Sequence, residues 1–320
     1  MISGMRRLIL LVSLLVVTAA GHAQNYPSRP VKFLVPFPAG ALPDQIARVI
    51  APQLQEALGQ PFFIENKPGA IGTIGTAEAA RAAPDGHTIV MTTNSTLAAA
   101  SSLYKKLQYD PVRDFAPIML ISKTSMILLV RPDFPAQSLK EFIVHARSKN
   151  GQLTAGYGSA GSQVSIAKLK AGAAFNAIDV PYKGVPLAVT DVLGGQISFT
   201  FADFAVGLGQ IKGGKLKGIG VTSAQRTPLA PDIPAIGEEI PGYEIVLWYG
   251  LVAPAGTPRE AINRIHDAVS AGMAKPEFKA RFAGFGVDPS PMAPDQFGDY
   301  IRKEIDKWSR DIKQAGIQPE

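Results

Sequence analysis

The chain has no cysteine. That absence removes disulfides, thiol nucleophiles, thiolate metal sites and a lipid-modified N-terminal cysteine. Histidine is scarce too, with four in 320 residues. His22 falls in a segment expected to be cleaved. His145 and His266 sit on amphipathic helical patterns, and His87 follows an Asp-Gly turn. The three show no metal-ligand spacing, and no cofactor is expected. Charged residues make up 18%, and the net charge of +6 is spread along the chain without basic runs or interleaved aromatics. A nucleic-acid footprint needs such clustering. No apolar run reaches the roughly 20 residues that span a bilayer.

What is present is a long chain with 46% apolar residues, enough for a substantial core. The length suits two ordinary domains or one large one. At the N-terminus, Arg6 and Arg7 precede the apolar run Leu8 to Val17, and Gly21 and Ala23 are small residues at the −3 and −1 positions. This is the pattern of a secretory signal peptide over residues 1–23. The mature chain is therefore expected to be exported and free of any lipid anchor, in the periplasm.

Strand-like and helix-like segments alternate throughout, which argues an α/β class with largely parallel sheets. "VKFLVPF" leads into "PDQIARVIAPQLQEALG", where Ile46, Val49, Ile50, Leu54 and Leu58 share a helical face. Pro43 suits the first helical turn and Gly59 the end. Pro52 is expected to kink or interrupt this helix. Ser138 with Glu141 reads as a capping box. Further helices read at 163–171, 186–193 and 204–212, and the chain turns strongly helical after "YGLVAPAGTP".

The loop "VPFPAGALPD" (Val35 to Asp44) offers almost no side-chain chemistry. Its amides, from Ala39 to Leu42 and at Asp44, fall where a helix begins. Such unpaired donors, with a partial positive charge, suit a carboxylate or phosphate. The loop also reads as a plain tight turn, with water and an Asp44 cap satisfying the amides. "GYGSAGSQ" matches G-x-G-x-x-G at Gly156, Gly158 and Gly161, but the preceding "GQLTA" lacks the apolar run of a first dinucleotide-binding strand. Ser159 has tyrosine two residues before it, where a nucleophile elbow needs glycine. The small residues with Ser159 and Ser162 still make a second anion cradle. "NKPGAIGTIG" reads as a packing turn. Asp203 closes an apolar strand ahead of a helix, where α/β proteins bind ligands, or where it simply caps. Tyr182-Lys183-Gly184 is a turn or part of the site. Trp248 and Tyr249 are core or interface aromatics by default.

Taken together, "YPSRPVKFLVPFPAG", "LGQPFFIENKPGA", "APDGHTIVMTT", "YDPVRDFAPI", "VPYKG", "DVLGGQISFTF", "IKGGKLKGIGVTSAQRTPLAPDIPAI", "PGYE", "WYGLVAPAGTP" and "KWSRDIKQAGI" run in order along nearly the whole mature chain. The set resembles the substrate-binding proteins of tripartite tricarboxylate transporters, the Bug family. The resemblance implies a two-domain periplasmic binding fold, each domain a mostly parallel sheet flanked by helices. Domain one would take 24–125 and 248–320, and domain two 126–247, with the ligand in the cleft between them. It implies a small carboxylate ligand gripped by backbone amides and waters, a membrane permease with small and large subunits, and a monomer. This chain departs from the family pattern at Ala41, Leu42 and Pro43, at Gln163 where histidine is common, and at Asp203 where Asn, Ser or Thr is frequent.

The expected ligand site takes the amides of Ala39, Gly40, Ala41 and Leu42, with Phe37 and Asp44 beside them. The hydroxyls of Thr92, Thr93, Ser95 and Ser159, with Asn94, hold the carboxylate. Asp203 and Gln163 read the other end, with Tyr182, Phe204 and Trp248 as apolar wall. Leu42 and the aromatics lean the ligand towards an aromatic or larger apolar acid. Two other functions fit the same residues: a sensory partner of a membrane signalling protein, and a hydrolase using Ser159, for which the sequence supplies no obvious base.

Overall fold

The computed structural model describes residues 26–320. The expected signal peptide lies outside them. In chain order the strands are β1 (Val31–Val35), β2 (Phe62–Asn66), β3 (Thr88–Thr93), β4 (Phe115–Thr124), β5 (Met126–Val130), β6 (Leu153–Tyr157), β7 (Ala177–Pro181), β8 (Phe199–Asp203), β9 (Lys217–Val221), β10 (Leu247–Pro254) and β11 (Asp288–Met292). The α-helices are α1 (Leu42–Leu58), α2 (Thr73–Ala80), α3 (Ala100–Leu103), α4 (Leu139–Ser148), α5 (Ala160–Ala173), α6 (Val185–Leu193), α7 (Phe204–Lys212), α8 (Arg259–Ala274), α9 (Pro276–Phe285) and α10 (Pro294–Gln314). None of these helices is long and apolar enough to cross a membrane.

Two sheets form, in the orders β11-β4-β10-β3-β1-β2 and β7-β6-β8-β5-β9. They are mixed rather than mostly parallel. β1 is parallel to β2 and β3, and β6 to β7 and β8. β10 runs antiparallel to β3 and β4, and β5 antiparallel to β8 and β9. The reason is the chain's path. β4 passes straight into β5 across Ser125 alone, and β10 receives the chain back from the second sheet. A strand entered from the other sheet must run away from the junction. β1, β3, β6 and β8 all run towards it, so the loops at their C-terminal ends gather in one place.

The strands that carry the chain across are fully enclosed. Every residue of β5 and of β10 is buried, as strands covered on both faces require. α1 starts at Leu42 with Pro43 in its first turn and ends at Gly59, whose φ of 75° and N–H bond to the Gln55 carbonyl close it. It runs unbroken through Pro52, contrary to the expected interruption. Pro52 is exposed, and so is Arg48 four residues before it, so water can satisfy the carbonyl that loses its donor. Ser138 caps α4 by accepting from the Glu141 N–H. Glu141 in turn accepts from the Gln137 N–H, one residue earlier than a reciprocal box would place it.

Candidate functional site

The loops that follow β1, β3, β6 and β8 meet the first residues of β5 and β10 around a narrow cleft of about 30 Å³. From the first sheet come Phe37, Ala41, Pro43, Thr93, Asn94, Ser95, Leu247 and Tyr249. From the second come Met126, Gly158, Ser159, Val185 and Asp203. None of these lining residues is Lys, Arg or His.

Three hydroxyls in this lining are oriented by main-chain donors. Thr93 Oγ1 accepts from the Ser95 N–H at 3.1 Å, Ser95 Oγ from the Ala160 N–H at 3.1 Å, and Ser159 Oγ from the Ser162 N–H at 3.2 Å. The Thr93 and Ser95 hydroxyls, accepting in this way, keep their protons for another acceptor, whereas the Ser159 hydroxyl is also hydrogen-bonded to Ser162 Oγ at 3.1 Å. Asn94 adds a buried amide nitrogen with no partner among the described residues. The cleft therefore offers several neutral donors to an anion and no side-chain cation.

The glycines of "GYGSAGSQ" serve close packing. A Cβ at Gly158 would sit 2.2 Å from the Gly184 carbonyl carbon, and one at Gly161 would sit 2.4 Å from Leu247. The first clash is with backbone, so the β6–α5 turn can press against the neighbouring loop only with glycine at 158; the second is with the end of a leucine side chain, which would have to shift. The α5 N-terminus carries a reciprocal capping box between Ser159 and Ser162.

The amide cradle expected from the first loop is only partly open. The Gly40 N–H donates to Asp44 Oδ2 at 2.9 Å, and the Ala41 N–H to the Pro38 carbonyl at 3.2 Å. Pro43 has no donor. Asp44 does not line the cleft. It is buried, accepts from Arg48 and Asn66 as well as Gly40, and is a structural cap. Burial works to raise its pKa, but those three hydrogen bonds outweigh it and hold the carboxyl below the usual value. The Leu42 N–H and, across the cleft, the Gly161 N–H have no internal acceptor among the described residues.

Other expected residues fall outside the lining. Ala39 and Gly40 are exposed at the loop. Leu42 is wholly buried in the core. Thr92 bonds to Thr96 beneath the cleft floor. The buried Gln163 Oε1 has no partner, yet it does not reach the lining. Tyr182 donates to Asp191 at 2.6 Å; burial, with that bond second, pushes its pKa up to about 12. Phe204 packs against Gly286. Trp248 turns away from the cleft: its indole N–H donates to Glu304 at 2.9 Å, and Phe297 and Tyr300 meet it edge-on. Its neighbour Tyr249 faces the cleft instead, because successive side chains on a strand point to opposite faces.

Tyr249 and Asp203 form the one ionisable pairing in the lining. Asp203 caps α7, with Oδ1 accepting from the Val206 N–H at 3.2 Å. Burial raises its pKa from 3.8 to about 6. Burial, with the Asp203 charge second, raises that of Tyr249 well above 10. Pro43, Met126, Gly158, Val185, Leu247 and Tyr249 were not among the sequence candidates. Two of them carried a signal: Tyr249 as the strand neighbour of a chosen aromatic, and Gly158 as a small residue of the second anion cradle. Ser159 finds another serine rather than a base, and no histidine lies in the lining.

Residues 46–317 match the family model described as the tripartite tricarboxylate transporter family receptor. The chain is 31% identical to Protein BugT of Bordetella pertussis over 98% of its own length and 99% of that protein's. Among solved structures it resembles the periplasmic binding protein BugD, with a TM-score of 0.88 and 33% identity over 92% of this chain and 100% of that one. It also resembles Rpa4515 of R. palustris, solved with adipate, with a TM-score of 0.89 and 30% identity over 92% and 100% of the two chains. With the family model matching most of its length and full-length relatives at about 30% identity, the chain belongs to the tripartite tricarboxylate transporter receptor family of periplasmic solute-binding proteins.

Proposed function

We propose that this receptor captures a small carboxylate in the cleft between its two sheets and delivers it, as a monomer, to a membrane permease with small and large subunits. The carboxylate is held by neutral donors: the hydroxyls of Thr93, Ser95 and Ser159, the Asn94 amide, and the free N–H groups of Leu42 and Gly161 at two helix N-termini. Phe37, Met126, Val185 and Leu247 give the ligand an apolar middle. Residues 24–125 with 248–320 and residues 126–247 move as two domains that close over it. The adipate in Rpa4515 supports a carboxylate class of ligand. The observation that carries the reading is the pair of cleft hydroxyls, Thr93 and Ser95, each accepting a main-chain N–H so that its proton is free for an anion.

Titration calorimetry and thermal shift across aliphatic and aromatic mono- and dicarboxylates test it. At least one acid is expected to bind, and at 100-fold excess over Kd to stabilise the fold by about 2.7 kcal/mol. Ser95→Ala is expected to weaken that acid by roughly tenfold, the value of a charge-assisted hydrogen bond. A protein that ignores every acid in the panel is not a carboxylate receptor.

A further inference from the structure

Resting on that carboxylate reading, the cleft also carries a selector for the rest of the ligand. Asp203 is 5% exposed and lines the cleft at the C-terminal end of β8. No Lys, Arg or His pairs with it among the described residues, and none lines the cleft. Among the described residues its carboxylate is met only by main-chain donors, the Val206 N–H and its own N–H, which leaves acceptor capacity unused. Tyr249, 4% exposed, lines the same cleft beside it from β10. The Tyr249 hydroxyl has no internal hydrogen bond among the described residues. Glu304 holds the indole of Trp248 on the opposite face of β10, and Asp191 accepts from the Tyr182 hydroxyl.

A buried anion without a counter-ion is costly to keep in a binding cleft. It is repelled by any second negative charge brought into the same low-dielectric space. It is relieved by a ligand group that donates hydrogen bonds. We infer that Asp203, with the Tyr249 hydroxyl, is a specificity-determining pair that selects acids bearing one carboxylate and a hydrogen-bond donor, and rejects dicarboxylates. The donor is an amide, hydroxyl or ammonium group. Neutral donors elsewhere in the lining take the ligand's one carboxylate, and Asp203 takes the donor.

A cap-only role for Asp203 makes no such distinction, because Asn and Ser cap a helix about as well as Asp. Calorimetry at pH 8, where the carboxyl is ionised, compares matched ligands of three lengths. Succinate, glutarate and adipate are each set against the monoamide and the ω-amino acid of equal chain length. In the wild type, for at least one length, a donor-bearing ligand is expected to bind at least tenfold tighter than its diacid. In Asp203→Asn the ratio is expected to fall below threefold, with tighter diacid binding supplying part of the change. Asp203→Ser, which keeps the cap with a smaller side chain, is expected to lose the ratio as well, so the result does not hang on one variant folding. Diacids that bind as tightly as their partners in the wild type would overturn this inference while leaving the carboxylate receptor standing, as would a ratio unchanged in both variants. Silence from all nine ligands and from every other carboxylate would overturn both.

Discussion

Asp203 shows what a binding residue costs the fold that carries it. Its carboxyl holds a proton up to about pH 6 when folded and releases it near 3.8 when unfolded. Below 3.8 both states are protonated and the group is neutral to stability. Between the two values the folded state binds more protons, so stability falls as pH rises, and above 6 the whole cost of burying the charge is present. A shift of this size amounts to about 3 kcal/mol at neutral pH. Asp203→Asn is neutral at every pH and still caps α7, so at pH 7.5 it is expected to be more stable than wild type by about 1–3 kcal/mol. The gap should close towards zero by pH 4. Urea melts of both proteins at pH 4, 5, 6 and 7.5 measure it, and a gap that stays constant with pH would place the cost elsewhere. The prominence of Asp203 was legible in the sequence, as an acid ending an apolar strand. The Asp44 role was half legible: a cap was one reading of its loop, but its reach back to the Gly40 amide depends on the positive φ of 82° at Gly40, which sequence does not display.

At the scale of elements, β10 explains why two adjacent aromatics were sorted wrongly. All eight of its residues are buried, so no polar alternation marks which face meets the cleft. Trp248 belongs to the other face, where Glu304 of α10 accepts the indole N–H of both Trp248 and Trp308, at 2.9 and 3.0 Å. One carboxylate oxygen thus ties the central strand of the first sheet to the helix covering it. Glu304→Leu would leave two buried donors without partners and is expected to cost about 2–4 kcal/mol. Because this bond lies on the face away from the cleft, the affinity for whichever carboxylate binds should change less than twofold. Denaturant unfolding and calorimetry on one preparation separate the two effects, and a matching loss of affinity would mean that the strand's two faces are coupled. Helices were easier to read than strands here. α1 announced its start with Pro43 and its end with Gly59, both of which act through their own backbone. Strand direction depends on partners far along the chain, and the reversal of β5 and β10 follows only from the crossing path.

For the whole molecule, the cleft is held by contacts that exist only while the two sheets face each other closely. Ser95, after β3, accepts from the Ala160 N–H at the start of α5 at 3.1 Å. Pro38, after β1, lies against Gly184 ahead of α6, so closely that a Cβ there would be 2.5 Å from Pro38 Cγ and 2.7 Å from Cδ. Gly184 has extended backbone, with φ at −179°, so alanine is free of local strain there and acts only through its methyl. A proline ring has no flexible end to swing aside. Gly184→Ala should therefore resist the closed approach while costing the separated arrangement nothing. A ligand shifts the opening equilibrium only by its preference for the closed form, so a penalty on closure appears directly as lost affinity. For the tightest-binding carboxylate, Gly184→Ala is expected to weaken binding at least tenfold, with the ligand-free melting temperature within about 2 °C of wild type, a surface-scale change. Small-angle scattering should show wild type contracting on saturation and the variant needing more ligand for the same contraction. If the variant binds and contracts like wild type, the Pro38–Gly184 contact is not part of closure, and the two halves must meet elsewhere.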